Sequence, residues 1–281
     1  MDLFKINGVF IMKKFILAST VLAVMALSSC SVKVNGNDIQ VNSDWKFKQT
    51  KSETLNIEPE KATKLDVNIN VGKISVEYGD TKNVDVDVKF TSNGVNEDKV
   101  SAAIENAKII TEVKNKTVYI KSAEKDFDTR FVNLTADLEI MLPSEFSDFN
   151  IESDVGDIHL NKLKGSFDVT ADVGNVKLDS LVGDFKIDAD VGNIDCNNLT
   201  INGNSEINAD VGNIDISLES VDECNLQLVA DVGDIDVDTQ GLDFEEKSES
   251  KDYVGKQQAV VIDHKCNVTL KADVGTVKVT K

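Results

Sequence analysis

Two prolines, one tryptophan, three tyrosines, two histidines and a single arginine, Arg130, are all that 281 residues contain of these types. One arginine removes the planar fork that clasps carboxylates and phosphates. The scarcity of rings leaves no evident platform for stacking sugars. His159 and His264 share no motif, and G-x-S-x-G, H-E-x-x-H and C-x-x-C are all missing, so nucleophilic, zinc and dithiol chemistry have no foothold. Basic charge is short as well. The chain carries a formal −19, and residues 148–281 hold 28 acidic side chains against 11 basic ones. Nucleic acid and anionic membrane both require a basic patch and are poor partners. Uronic and teichoic polymers would be repelled unless a cation bridged them.

What is abundant is one phrase, Asp-Val-Gly-(Asp/Asn)-(Ile/Val). It starts at Asp154, Asp172, Asp190, Asp210 and Asp231, and again at Asp273 with Thr276 in fourth place. The intervals are 18, 18, 20, 21 and 42 residues. A nearly fixed period is the mark of a stacked architecture. Each interval holds a weaker copy: Gly156-Asp157-Ile158-His159-Leu160 aligns with Gly165-Ser166-Phe167-Asp168-Val169 nine residues on. Apolar-x-apolar alternation denotes a strand with one buried face. Gly beside Asp or Asn denotes a tight corner. Phe167, Val169, Ala171 and Val173 point one way, and Phe185, Ile187, Ala189 and Val191 repeat the row one coil later. Alanine precedes the motif at 171, 189, 209, 230 and 272, where the walls must pinch together. The expected fold is all-β, a parallel β-solenoid of the β-helix or β-roll kind with coils of about 18 residues, in which no coil buries its face alone. An antiparallel sandwich is the alternative, and the constant period disfavours it.

Upstream of the repeats, residues 12–30 combine two lysines, an apolar run and small residues ahead of Cys30. This pattern predicts a signal peptide over 1–29 with Met12 as the start. Leu27-Ser28-Ser29-Cys30 resembles the lipobox of bacterial lipoproteins, which implies cleavage before Cys30 and diacylglycerol on its sulfur, a firm anchor once multiply acylated. A single transmembrane anchor is the alternative, but the run is short. Residues 30–54 read as the lipidated cysteine and a polar tether, and 55–147 as an N-terminal β segment. Within that segment 97–108 have apolar residues at helical spacing and form a candidate capping helix. Asn70-Val71-Gly72-Lys73-Ile74 already echoes the repeat. Residues 148–281 are the repeat solenoid, with an insertion near 239–262 that reads equally as a functional loop or as a tolerated excursion.

The Gly-(Asp/Asn)-(Ile/Val)-x-(Val/Ile/Leu) units over 55–281, behind a secretion signal, resemble the bacterial putative-adhesin family of β-strand repeats, a domain family of unknown function. The resemblance implies an exported all-β solenoid and supplies no active-site residues.

Stacking turns the first motif position into a column of like charge. Neighbours about 4.8 Å apart repel by roughly 0.9 kcal/mol in bulk water. Asp154, Asp172, Asp190, Asp210 and Asp231, with Asp157 and Asp234 in fourth place, are therefore candidates for holding Ca²⁺ through hard oxygen ligands. The spacing departs from that of calcium β-rolls, and plain turn chemistry with splayed carboxylates is the competing account. Cys196 shares the inward position of Leu160, Leu178 and Ile216 and reads as core. Cys224 and Cys266 fall at equivalent places in successive coils, which makes them a candidate disulfide in an exported chain. Function is read as binding or scaffolding: a lipid-anchored, adhesin-like protein at the cell surface or periplasmic face. It would hold the membrane through its lipid and meet a cell-envelope or host-surface component. No catalytic residue and no cofactor beyond the candidate Ca²⁺ are assigned. The competing class is a polysaccharide-acting enzyme using outward carboxylates.

Overall fold

A computed structural model describes residues 45–123, 132–221, 224–238 and 266–280; for Val221, Cys224 and the strands within 32–39 and 246–261 it gives the backbone alone. The expected signal peptide over 1–29, Cys30 and His264 lie outside the described residues.

Strands β1 (Val32–Val34) and β2 (Asn37–Ile39) form a short antiparallel hairpin. All the other strands are hydrogen-bonded into one sheet of twenty-one, and the described residues include one helix. β3 (Phe47–Ile57) runs through residues expected to be tether. Its polar alternation fits a strand that buries neither face fully, and it pairs antiparallel with β6 over its whole length. β4 (Lys64–Val71) and β5 (Ile74–Tyr78) meet at the Gly72 corner. β6 (Val84–Gly94), the helix α1 (Glu97–Asn106), β7 (Ile109–Lys114), β8 (Thr117–Ser122) and β9 (Val132–Leu142) follow.

Helix α1 starts because the Asn96 side chain accepts the Lys99 amide at 3.0 Å while Glu97 and Asp98 sit in the positive first turn. It buries Val100 and Ala103 against Val132 and Phe47. It therefore covers the antiparallel strands, not the open end of the repeats. That end is closed by strands: β8 lies parallel on β4, β9 parallel on β5, and β6 and β3 continue outward from β9.

The repeats are pairs of strands, the first longer than the second in the early rungs: β10 (Asp148–Val155) with β11 (Ile158–Asn161), β12 (Lys164–Val173) with β13 (Val176–Asp179), β14 (Val182–Val191) with β15 (Ile194–Ile201), and β16 (Ser205–Val211) with β17 (Ile214–Val221). β18 (Cys224–Val232) with β19 (Ile235–Val237) and β22 (Cys266–Val274) with β23 (Val277–Thr280) complete the set. Every rung lies parallel to its neighbours, Phe149 against Phe167 against Phe185, and Leu160 against Leu178 against Cys196. The β4–β5 corner stacks beneath β10–β11 in the same register, so a rung exists 84 residues before its neighbour.

Inward positions form continuous columns. Phe149, Phe167 and Phe185 stack with centroids 4.9 and 5.2 Å apart and planes within 7°. Leu163, Leu181, Leu199 and Leu218 form one column, and Ala171, Ala189, Ala209, Ala272 and Ala230 another, which continues through Ser153 to Ile69; all are buried. Cys196 is among the buried residues, and burial pushes its thiol well above the ordinary range.

Among the rungs of 148–280, spatial order departs from chain order at one place. β22 pairs with β16 on one side and β18 on the other, and β23 likewise lies between β17 and β19. The last rung in the sequence is wedged between two earlier ones. The insertion supplies β20 (Glu246–Asp252) and β21 (Gly255–Val261), an antiparallel hairpin whose β21 pairs along β18. It is a strand cover for the outer rung. A strand edge therefore still lies at β20, one hairpin beyond the outer rung.

Candidate functional site

The motif's glycine is dictated by its corner. Gly174 has φ +149°, and a Cβ there would lie 2.1 Å from the Gly156 carbonyl oxygen; at Gly192 the figures are +156° and 1.8 Å from Gly174. A side chain is excluded by contact with the rung below as well as by backbone preference.

Beside this column the fourth motif position forms a ladder. The Asn175 amide donates to Asp157 Oδ1 at 3.0 Å, Asn193 to Asn175 Oδ1 at 3.0 Å, Asn213 to Asn193 Oδ1 at 2.9 Å and Thr276 to Asn213 Oδ1 at 2.9 Å. Each side-chain oxygen thus accepts the amide of the next rung in space. Asn and Asp recur there because the corner amides need acceptors.

The first motif position stands in the order Asn70, Asp154, Asp172, Asp190, Asp210, Asp273, Asp231, with Asp273 between residues expected to be neighbours. Burial, followed by the charges of Asp190, Asp154 and Glu152, pushes the Asp172 carboxyl up. At one end Asn70 Nδ2 donates to Asp154 Oδ2 at 3.1 Å. At the other, the Lys271 ammonium bonds Asp273 and lies 3.6 Å from Asp231. Asp234, in the last fourth position, is exposed. Among the described residues no group of three or more His, Cys, Asp and Glu side chains is placed to hold a metal ion.

Cys224 and Cys266 are register partners of adjacent parallel strands, Cys266 is disulfide-bonded, and Cys196 is free.

A constellation the motif did not advertise lies on the short-strand wall. Asp179 Oδ2 is 2.7 Å from His159 Nε2 and 2.8 Å from Lys177 Nζ, and its Oδ1 accepts from Asn197 Nδ2 at 2.7 Å. Burial works to raise this carboxyl, but the bonds from Lys177, Asn197 and His159 outweigh it and hold the group below the ordinary range. Only the 18-residue offset could have signalled the meeting: His159 and Lys177 are register partners, and Asp179 lies two residues beyond. These rungs border an open groove of about 740 Å³, where the outer faces of β3, β6 and β9 curl toward those of β5, β11 and β13. Ser75, His159 and Lys177 line it from the repeat side, and Asp87, Lys89 and Glu139 from the other. Both signs of charge are interleaved at close range along its lining.

A family model described as Toastrack DUF4097 matches residues 98–280, well over half of the chain. Among curated proteins none matches. Several solved structures show similarity, three of which follow. A putative cell adhesion protein from Clostridium sporogenes is 16% identical over 83% of this chain and 99% of its own, with a TM-score of 0.36. A putative adhesin from Bacteroides fragilis is 15% identical over 82% and 97%, with a TM-score of 0.32. A putative lipid binding protein from Parabacteroides distasonis is 12% identical over 83% and 97%, with a TM-score of 0.25.

Proposed function

This chain belongs to the Toastrack DUF4097 family, and we propose that it is an exported, lipid-anchored scaffold of the cell envelope that binds and does not catalyse. In this reading the parallel rungs form a single β-solenoid, Cys30 carries the lipid, and Cys224 is the partner of Cys266 in the disulfide. The solenoid holds its binding groove, at the junction of repeats and antiparallel strands, away from the membrane toward an envelope or host-surface component.

The observation that carries the non-catalytic part is the state of the outward carboxylates. Several are tied rung to rung by neutral or cationic partners: Asn150 donates to Asp66 at 3.1 Å, Asn161 to Glu77 at 2.9 Å and Asn208 to Asp188 at 3.0 Å, while Lys186 holds Asp168 at 3.2 Å. A carboxylate spent on its neighbour serves cohesion of the stack. It is poorly placed to act as the free acid and nucleophile of glycoside hydrolysis.

The test has two arms in one strain. Incorporation of a clickable fatty acid is expected in the wild-type chain and lost in Cys30→Ala, which should shift to the soluble fraction. Purified chain is expected to bind envelope polysaccharide or intact cells saturably, to lose that binding in the Lys89→Glu/Lys177→Glu variant, and to release no reducing ends. Reducing-end release that depends on Asp179 would replace this reading with the polysaccharide-acting one.

A further inference from the structure

We propose that residues 266–280 are an exchangeable rung, and that the slot they occupy between β16/β17 and β18/β19 accepts the same segment from a second copy of this chain. The basis is the order of the rungs. Among the described residues no pairing joins β16 to β18 or β17 to β19 directly; the pairings run through β22 and β23. In chain order the outer rung and its β20–β21 cover precede the rung that attaches them to the stack. Until 266–280 arrives, two strand edges with unpaired amides and carbonyls face each other, each a template for any matching strand.

The segment fits this slot on three levels. Its inward Val268, Leu270, Ala272, Val277 and Val279 are all buried. Its backbone meets acceptors fixed by the slot: the Asn267 amide donates to Asn204 Oδ1 and the Thr276 amide to Asn213 Oδ1, both at 2.9 Å. Its lysines meet carboxylates, Lys278 at 3.2 Å from Asp215 and Lys271 within reach of Asp231. Every one of these partners exists in every copy, so the segment of a neighbour satisfies them equally, which is the condition for low-cost strand exchange. Non-local parallel pairing closes slowly, and copies crowded on one membrane raise the effective concentration of the competing segment. Exchange would link adjacent scaffolds without any new contact surface. Cys266 stands where the segment enters the slot, register-paired with Cys224 and disulfide-bonded. The bond between these two records which copy filled the slot.

The test reads that record. Exported chain carrying Cys30→Ser is prepared unlabelled and ¹⁵N-labelled, mixed equally, reduced, unfolded and reoxidised during refolding over a range of concentrations. Monomer and dimer fractions are then digested without reduction. Exchange predicts Cys224–Cys266 linked peptides of mixed isotope in the dimer, approaching the statistical half and increasing with concentration. Linked peptides of a single isotope in every fraction would overturn the proposal, as would Cys266 joined to another cysteine. A second measurement needs no refolding: Cys224→Ser and Cys266→Ser chains exported together in one cell should yield a covalent heterodimer through the remaining pair, and its absence would overturn the proposal equally.

Discussion

Replacing Phe167 by leucine removes the middle ring of a three-ring stack while keeping an apolar side chain of similar reach. Phe167 touches a ring on each side, Phe149 at 4.9 Å and Phe185 at 5.2 Å, and all three rings are buried. Each stacked contact is worth about 0.5–1.5 kcal/mol beyond area burial, so losing two removes about 1–3 kcal/mol. The cavity left by the smaller side chain adds about 1 kcal/mol, for a total loss of about 2–4 kcal/mol. Phe185→Leu loses only one ring contact, because the next rung presents Ser205, whose hydroxyl accepts the Phe185 amide at 3.0 Å. Its loss should be smaller by about 0.5–1.5 kcal/mol. Urea unfolding followed by circular dichroism, with midpoints compared at a common slope, measures both. Equal losses for the two variants, or a loss below about 1 kcal/mol at Phe167, would refute the column as an energetic unit.

The Gly174→Ala change should cost at least about 2–3 kcal/mol, since a strained φ is combined with a clash against the Gly156 carbonyl; an unchanged urea midpoint would show that the corners do not stack in contact. Asp172→Asn should stabilise by about 0.2–1 kcal/mol at neutral pH, the scale of solvent-screened charge pairs. Its carboxyl is raised in the folded state, so that state holds the proton more tightly and stability falls as pH rises from 3.8 through the raised value. The gain from Asn should therefore be present at pH 7 and vanish in melts below about pH 3.8, and a gain independent of pH would contradict the charge-column account. Calcium at the Asp corners is tested by thermal melts of metal-stripped chain. With Asp157 accepting an amide and Lys271 clamping Asp273, millimolar Ca²⁺ should raise the melting temperature no more than Mg²⁺ does. A calcium-specific rise of several degrees would establish cation sites instead.

The repeat was legible in sequence because one chemistry recurs at each place. A glycine pressed against the next rung's carbonyl and an Asx oxygen taking the next rung's amide leave little choice at those positions. The inward place of Cys196 followed from its alignment with Leu178 and Ile216. Repetition is also why the order of the last rungs was not legible. Leu228, Leu270 and Ile207 are interchangeable inward residues, so a periodic pattern specifies a rung without saying which slot it fills. β3 was hidden for another reason: it keeps one face half exposed, which permits Lys, Gln and Ser where a buried strand would need valine. The groove depends on β3, β6 and β9 lying beside the β5, β11 and β13 rungs, and no repeat spacing encodes that approach.

The most direct test of the stacked order with its wedged final rung is a pair of engineered disulfides on the outer face of the short-strand wall. Asp215→Cys combined with Lys278→Cys places the thiols on register partners of β17 and β23, whereas Asp215→Cys combined with Asp236→Cys places them two rungs apart. Mild oxidation of the folded chain, followed by non-reducing peptide mapping, is predicted to link 215 to 278 rapidly and to leave 215 and 236 unlinked. Rapid linkage of 215 to 236, with 278 left free, would mean that the rungs stack in chain order and would contradict the account.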